Sequence, residues 1–243
     1  MDLYLHCSGS GSPTVILEAG YNDISETWSL VQPEVARFTH VCAYDRAGLG
    51  QSDPVTEDRD SYQVVNELHS LLLDAEIDGP YVLAGHSLGG VYVRLYADQY
   101  PEDVAGLVLV DSSHKDQIER CAAVLPPESP DDSQALIYYR DWLSTNTLFS
   151  DMPRKIFEPG SLGDKMLVVI YSPEKDRGTD FPAGVSEEWD RIWIELQEEW
   201  GLISSRSTQI VADESGHYIQ LDQPDLVIEA IYRVVEDARG DSQ

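Results

Sequence analysis

The chain has 243 residues and a formal net charge of −28, from 44 acidic against 16 basic side chains. That length suits one α/β domain with an insertion and is enough to bury a substantial core. The acid excess argues against nucleic acid as a partner, because phosphate backbones are met by clustered Lys and Arg. No apolar run is long enough to span a bilayer, so a membrane-embedded protein is not expected.

The acids are spread over Glu57-Asp58, Glu187-Glu188, Glu198-Glu199 and the C-terminal segment. Such a surface fits a salt-adapted protein or simply a well-solvated acidic enzyme. The start, Met1-Asp2-Leu3-Tyr4-Leu5-His6, lacks the basic and apolar stretches of a secretion signal. The three cysteines, Cys7, Cys42 and Cys121, show no CxxC spacing. These features predict a cytoplasmic protein in which Cys42 is a small buried hydrophobe. No repeat, metal-ligand cluster, phosphate loop or cofactor signature stands out, so no cofactor and no metal are expected.

In chain order, Leu3 to Cys7 alternates before the turn cluster Ser8-Gly9-Ser10-Gly11-Ser12-Pro13, which predicts a short strand and a hairpin-like turn. Val15-Ile16-Leu17 is a buried strand that runs into Glu18-Ala19-Gly20-Tyr21-Asn22, then a helix-like segment with Trp28 and Val31. Val41-Cys42-Ala43-Tyr44 is the next strand, followed by the turn Asp45-Arg46-Ala47-Gly48-Leu49-Gly50-Gln51-Ser52. Asp45 and Arg46 can brace that turn by charge-assisted hydrogen bonds. Ser61 can cap a helix whose apolar positions, Val64, Val65, Leu68, Leu71 and Leu72, recur at helical spacing.

The most informative stretch follows. Tyr81-Val82-Leu83-Ala84 is an apolar run that ends in Gly85-His86-Ser87-Leu88-Gly89, and Val91 to Tyr100 is periodic as a helix. A strand that turns so tightly into a helix forces Ser87 to positive φ and needs Gly85 and Gly89, where a Cβ would collide with the neighbouring chain. It lifts the Ser87 hydroxyl clear and leaves the Leu88 N–H at a helix N-terminus. Val104 to Val110 is another buried strand ending at Asp111. Strand and helix in alternation predict a mostly parallel sheet covered on both faces.

From Ser112 to about Asp164 the rhythm breaks, with Pro126-Pro127, Pro130, Met152-Pro153 and an amphipathic helix near Ala135 to Leu143. Lys165 to Tyr171 is a strand, Ser172 to Gly184 a turn-rich loop, Val185 to Trp200 an acidic helix, and Gln209-Ile210-Val211 the last strand. Asp213-Glu214-Ser215-Gly216-His217-Tyr218 comes next, and Pro224 opens a final amphipathic helix.

The Gly-x-Ser-x-Gly elbow, the Asp-x-x-Gly-x-Gly-x-Ser turn at Asp45 and the Gly216-His217 block ending in Asp222-Gln223-Pro224 resemble the α/β-hydrolase family. The resemblance implies an α/β-hydrolase fold with a core of residues 1–111 and 165–243 and a helical cap over 112–164. Cap residues Leu136, Ile137, Tyr138, Tyr139, Trp142, Leu148 and Phe149 could line a substrate pocket or form the cap's own core. The family begins with more antiparallel strand than Leu3 to Cys7 offers, so the leading edge of the sheet is expected to be short.

The resemblance also implies roles. Ser87 is the nucleophile, and His217 is the base that a serine hydroxyl needs. The N–H groups of Leu88 and Tyr21 form the oxyanion hole, although this chain reads Ala19-Gly20-Tyr21 where the family usually has His-Gly-x. His86 points away from Ser87 and serves packing or hydrogen bonding. The acid has three candidates: Asp111, the place used by haloalkane dehalogenases, and Asp176 or Glu174 after the strand ending at Tyr171. A serine nucleophile counts against dehalogenase and epoxide hydrolase chemistry, which use an aspartate there. The leading expectation is hydrolysis of small to medium esters, a small-molecule ester being the partner. Lactone or carbon–carbon bond hydrolysis, acyl transfer and ligand sensing on the same fold remain alternatives, and a peptidase-like activity is less favoured.

Overall fold

A computed structural model describes residues 1–57, 59–145, 149–173 and 181–240. Among these, β1 (Leu5–Ser8), β2 (Thr14–Glu18), β3 (Val41–Tyr44), β4 (Tyr81–His86), β5 (Val104–Val110), β6 (Met166–Tyr171) and β7 (Ser207–Val211) form one sheet in the order β1-β3-β2-β4-β5-β6-β7. β1 runs antiparallel to β3, and every other pairing is parallel. The helices are α1 (Gln32–Val35), α2 (Ser61–Asp74), α3 (Leu88–Gln99), α4 (Gln117–Ala123), α5 (Gln134–Thr145), α6 (Ala183–Gly201), α7 (Ile219–Asp222) and α8 (Pro224–Ala238).

Period-two alternation sorts the strand residues between two faces. Ile16, Leu83, Leu107, Leu109, Leu167 and Val169 pack with Leu68 and Leu72 of α2 and Val91 and Leu95 of α3. Val15, Leu17, Val82, Ala84, Val108, Val110, Val168 and Ile170 pack on Trp28, Val35 and the α8 residues Val227, Ile231 and Val234. Both faces are therefore covered, as a parallel sheet requires. A smaller cluster joins Cys121 of α4, Leu136 and Leu143 of α5, and Trp189, Ile192 and Leu196 of α6. Met152, Ile156, Phe157 and Leu162 belong instead to the main core.

Three local expectations are corrected. β1 makes no hairpin with β2; β2 is already paired on both sides, by β3 and β4, so β1 takes the open edge of β3. That register sets Cys7 opposite Cys42, and the two form a disulfide, so Cys42 is not merely a buried hydrophobe. Asp60, not Ser61, caps α2: its side chain accepts from Gln63 N at 2.8 Å while Gln63 Oε1 accepts from Asp60 N at 2.9 Å. The Ser61 hydroxyl donates to Asp151 at 3.0 Å. Among the described residues no helix is long and apolar enough to cross a membrane.

Candidate active site

β4 ends at His86 and α3 begins at Leu88, leaving Ser87 alone in the turn with φ 52° and ψ −122°. A non-glycine residue in that region costs about 1–3 kcal/mol and persists only where its surroundings hold it. The flanking glycines explain how the turn closes. A Cβ on Gly85 would stand 2.5 Å from the Gly89 carbonyl oxygen, and one on Gly89 would stand 2.5 Å from the carbonyl oxygens of Glu18 and Ala19. α3 therefore lies directly against the ends of β4 and β2, and the Leu88 N–H is the first of the helix, where no intrahelical acceptor exists.

Ser87 Oγ lies 3.0 Å from His217 Nε2, and His217 Nδ1 lies 2.6 Å from Asp111 Oδ2. With Nδ1 donating to the carboxylate, Nε2 is left to accept the serine proton. Asp111 follows β5, which pairs directly with β4, and is fully buried at φ 46°. Its Oδ1 accepts from the Ser172 N–H at 3.0 Å and from Trp193 Nε1–H at 2.9 Å. Of the hydrogen-bonded residues Ser87, His217 and Asp111, the first and last thus have positive φ, each at the end of a neighbouring strand. His217 sits in the loop between β7 and α7, half-buried, and its carbonyl accepts from His86 Nε2–H at 2.9 Å. Asp23 lies 3.8 Å from His86 Nδ1 and 3.4 Å from the Tyr218 hydroxyl, and burial raises its carboxyl above the ordinary value. Glu174 and Asp176 lie outside the described residues.

Behind Tyr21 a buried network fixes the loop after β2. Arg46 Nη1 donates to the Ala19 carbonyl at 2.6 Å and to Glu18 Oε1 at 2.5 Å, and Nη2 donates to the Gly20 carbonyl. The Tyr44 hydroxyl donates to the other Glu18 oxygen. Burial raises the Glu18 carboxyl, opposed by the charge of Arg46 and the Tyr44 hydrogen bond. Of Asp45 and Arg46, it is the Asp45 side chain that braces the turn, accepting from Gln51 N at 2.9 Å and also from Ser25 N at 2.8 Å. Arg46 reaches across to the β2 loop because its guanidinium, buried at the ends of adjacent strands β2 and β3, finds its counter-charge in Glu18.

Ser87, His217, Leu88 and Tyr21 meet on one side of a cavity of about 370 Å³. Its other walls include Trp142 of α5, Phe149, and Trp189 and Trp193 of α6. Of the residues proposed from sequence for a pocket, Tyr138, Tyr139, Trp142 and Phe149 line the cavity, Leu136 packs in the small cluster, Ile137 is exposed, and Leu148 lies outside the described residues. The contribution of α6 was not foreseen. Its signal was available in Trp189 and Trp193, four apart and so on one helical face.

Two groups with metal-ligand atoms come together among the described residues, Cys7-His40-Cys42 and His114-Asp116-Glu199. Neither lines this cavity. The sulfurs of the first are joined as a disulfide, and Lys115 and Arg120 pair with the acids of the second.

A family model described as the alpha/beta hydrolase family matches residues 3–230. The chain belongs to the alpha/beta hydrolase family. Uncharacterized protein YqjL of Bacillus subtilis is 32% identical over 231 residues, 94% of this chain and 86% of that one. Longer chains from Schizosaccharomyces pombe and Hormonema carpetanum match over 20% and 40% of their own length. Among solved alpha/beta hydrolase structures, a thermophilic esterase from Thermogutta terrifontis superposes with a TM-score of 0.70 at 18% identity, covering 97% of this chain and 93% of that one. A meta-cleavage product hydrolase from Pseudomonas fluorescens gives 0.61 at 19% identity, covering 97% and 94%. At that identity the likeness shows the shared fold.

Proposed function

We propose that this alpha/beta hydrolase cleaves small to medium carboxylic esters through an acyl-enzyme on Ser87. The observation that carries the reading is the hydrogen-bonded chain from Ser87 Oγ through His217 to Asp111, opening on an apolar cavity. Ser87 Oγ attacks the ester carbonyl carbon while His217 Nε2 takes its proton, and Asp111 holds the Nδ1–H and stabilises the imidazolium. The N–H groups of Leu88 and Tyr21 receive the oxyanion. Collapse breaks the bond to the alkoxy oxygen, which leaves as alcohol with the proton from His217. Water, deprotonated by His217, then attacks the acyl carbon and frees the acid and Ser87.

In this reading Asp111 is the acid and Asp176 and Glu174 are not needed. α4 and α5, within residues 112–164, act as a cap that together with α6 walls the acyl side. The esterase likeness favours the same chemistry, and the meta-cleavage hydrolase likeness makes carbon–carbon bond hydrolysis the second reading with the same serine and histidine.

The test is turnover of p-nitrophenyl esters of increasing chain length by wild type and Ser87→Ala. Rapid wild-type turnover, reduced at least about 10⁴-fold in the variant, is the expected outcome. No wild-type turnover, or equal rates in both proteins, removes the esterase reading and leaves carbon–carbon bond hydrolysis, lactone hydrolysis and ligand binding.

A further inference from the structure

α6 presents two indoles to the cavity, and their N–H groups go to different places. Trp189 Nε1–H donates to the Cys121 carbonyl at 3.0 Å and so ties α6 to α4. Trp193 Nε1–H donates to Asp111 Oδ1 at 2.9 Å. The Trp193 ring also stands edge-on to the His217 ring, with centroids 6.3 Å apart and planes at 79°. One side chain is thus both a wall of the cavity and a hydrogen-bond donor to the fully buried carboxylate.

The geometry matters because a buried carboxylate needs both oxygens satisfied. Oδ2 is committed to His217, and Oδ1 is held by the Ser172 backbone and by Trp193. The Ser172 donor is a backbone N–H just past the end of β6. The Trp193 donor rides on a ring that borders the substrate space.

We propose that Trp193 is a positioning residue for Asp111, and that through it the filling of the acyl side of the cavity sets the orientation of His217. The proposal rests on the serine-hydrolase reading above. An acyl group that packs on the indole then changes kcat, whereas one that touches only Trp142 or Trp189 changes KM.

The experiment compares Trp193→Phe with Trp189→Phe. Each keeps an aromatic wall and removes one indole N–H. The first readout is the far-downfield proton resonance of the His217 Nδ1–H···Asp111 hydrogen bond, recorded without substrate. It should shift or broaden in Trp193→Phe and stay in place in Trp189→Phe. The second readout is kinetic: Trp193→Phe should lower kcat about ten- to a hundredfold with little change in KM, as expected for losing one charge-assisted hydrogen bond. Trp189→Phe should act mainly on KM.

An unmoved resonance in Trp193→Phe with only KM altered overturns the proposal and leaves Trp193 as wall. The same shift in both variants overturns it as well. Because the resonance needs no turnover, a protein that fails as an esterase still reports whether Trp193 positions Asp111. Should Trp193→Phe not fold, indole ¹⁵N–¹H spectra of Asp111→Asn answer the same question. The Trp193 signal must move while the Trp189 signal stays, and the reverse pattern rejects the contact.

Discussion

On the sheet side of the cavity Asp111 and Arg46 are each held at several points, whereas the facing wall from α5 and α6 rests mostly on ring-to-ring packing. Among the described residues Asp111 accepts from His217, Ser172 and Trp193, and Arg46 grips two carbonyls and a carboxylate. Tyr139 of the wall meets Phe181 and Trp189 edge-on, each with ring centroids 5.2 Å apart. The difference follows from what each side must do. A misdirected charge loses its function and leaves a buried group unsatisfied, while an apolar wall tolerates changes of shape that conserve volume.

The comparison breaks if a sheet-side change proves cheap. Asp111→Asn keeps the shape but withdraws the charge from His217, and an ester kcat lowered about 10⁴-fold is expected, read by steady-state kinetics. Arg46→Met leaves Glu18 buried without its cation. It should cost about 3–5 kcal/mol, seen as a lower denaturant midpoint, and kcat should fall as the Ala19–Gly20 loop loosens.

Wall-side changes should redirect rather than abolish. Trp142→Ala enlarges the cavity, so the ratio of kcat/KM for long over short acyl esters should rise roughly tenfold. Its denaturant midpoint should move less than that of Arg46→Met.

A separate effect, on stability alone and only in acid, concerns His114, packed against Phe157 and Trp200. Burial lowers it from 6.5 to about 3, with Asp116 opposing and Lys115 and Arg120 adding to the shift. Between those values the unfolded chain binds a proton that the folded chain refuses, so stability falls as pH drops through the window. His114→Gln removes that contribution, and its melting temperature should decline less steeply than wild type from pH 6.5 toward pH 4.

How much of this was legible in the sequence depended on the distance over which each feature acts. The Ser87 elbow is local: a strand, two glycines and a helix within one run. The Asp111 carboxylate could be noticed because it ends four apolar residues, yet its 2.6 Å approach to His217 depends on the pairing of β5 with β4. Nothing in the string around Arg46 says that it serves Ala19 and Gly20, since that contact exists only once β2 and β3 are neighbours. The same holds for Trp193, which meets Asp111 across 82 positions. The hairpin expected at Ser8 to Pro13 failed for a related reason. A turn cluster shows where a chain bends, but which strand it then joins depends on which edges are still open.

The Cys7–Cys42 bond has a mechanical consequence. An antiparallel edge strand pulled from its free end unzips one hydrogen bond at a time and offers little resistance. Here the bond joins β1 to β3, so a pull on the N-terminus can extend the chain only as far as Cys7 before the load passes covalently to β3. β3 is hydrogen-bonded to β2 as well as to β1, so the load then falls on an interior strand of the sheet. A tether attached at Met1 should therefore leave the sheet intact at forces that would peel away the same strand in the reduced protein.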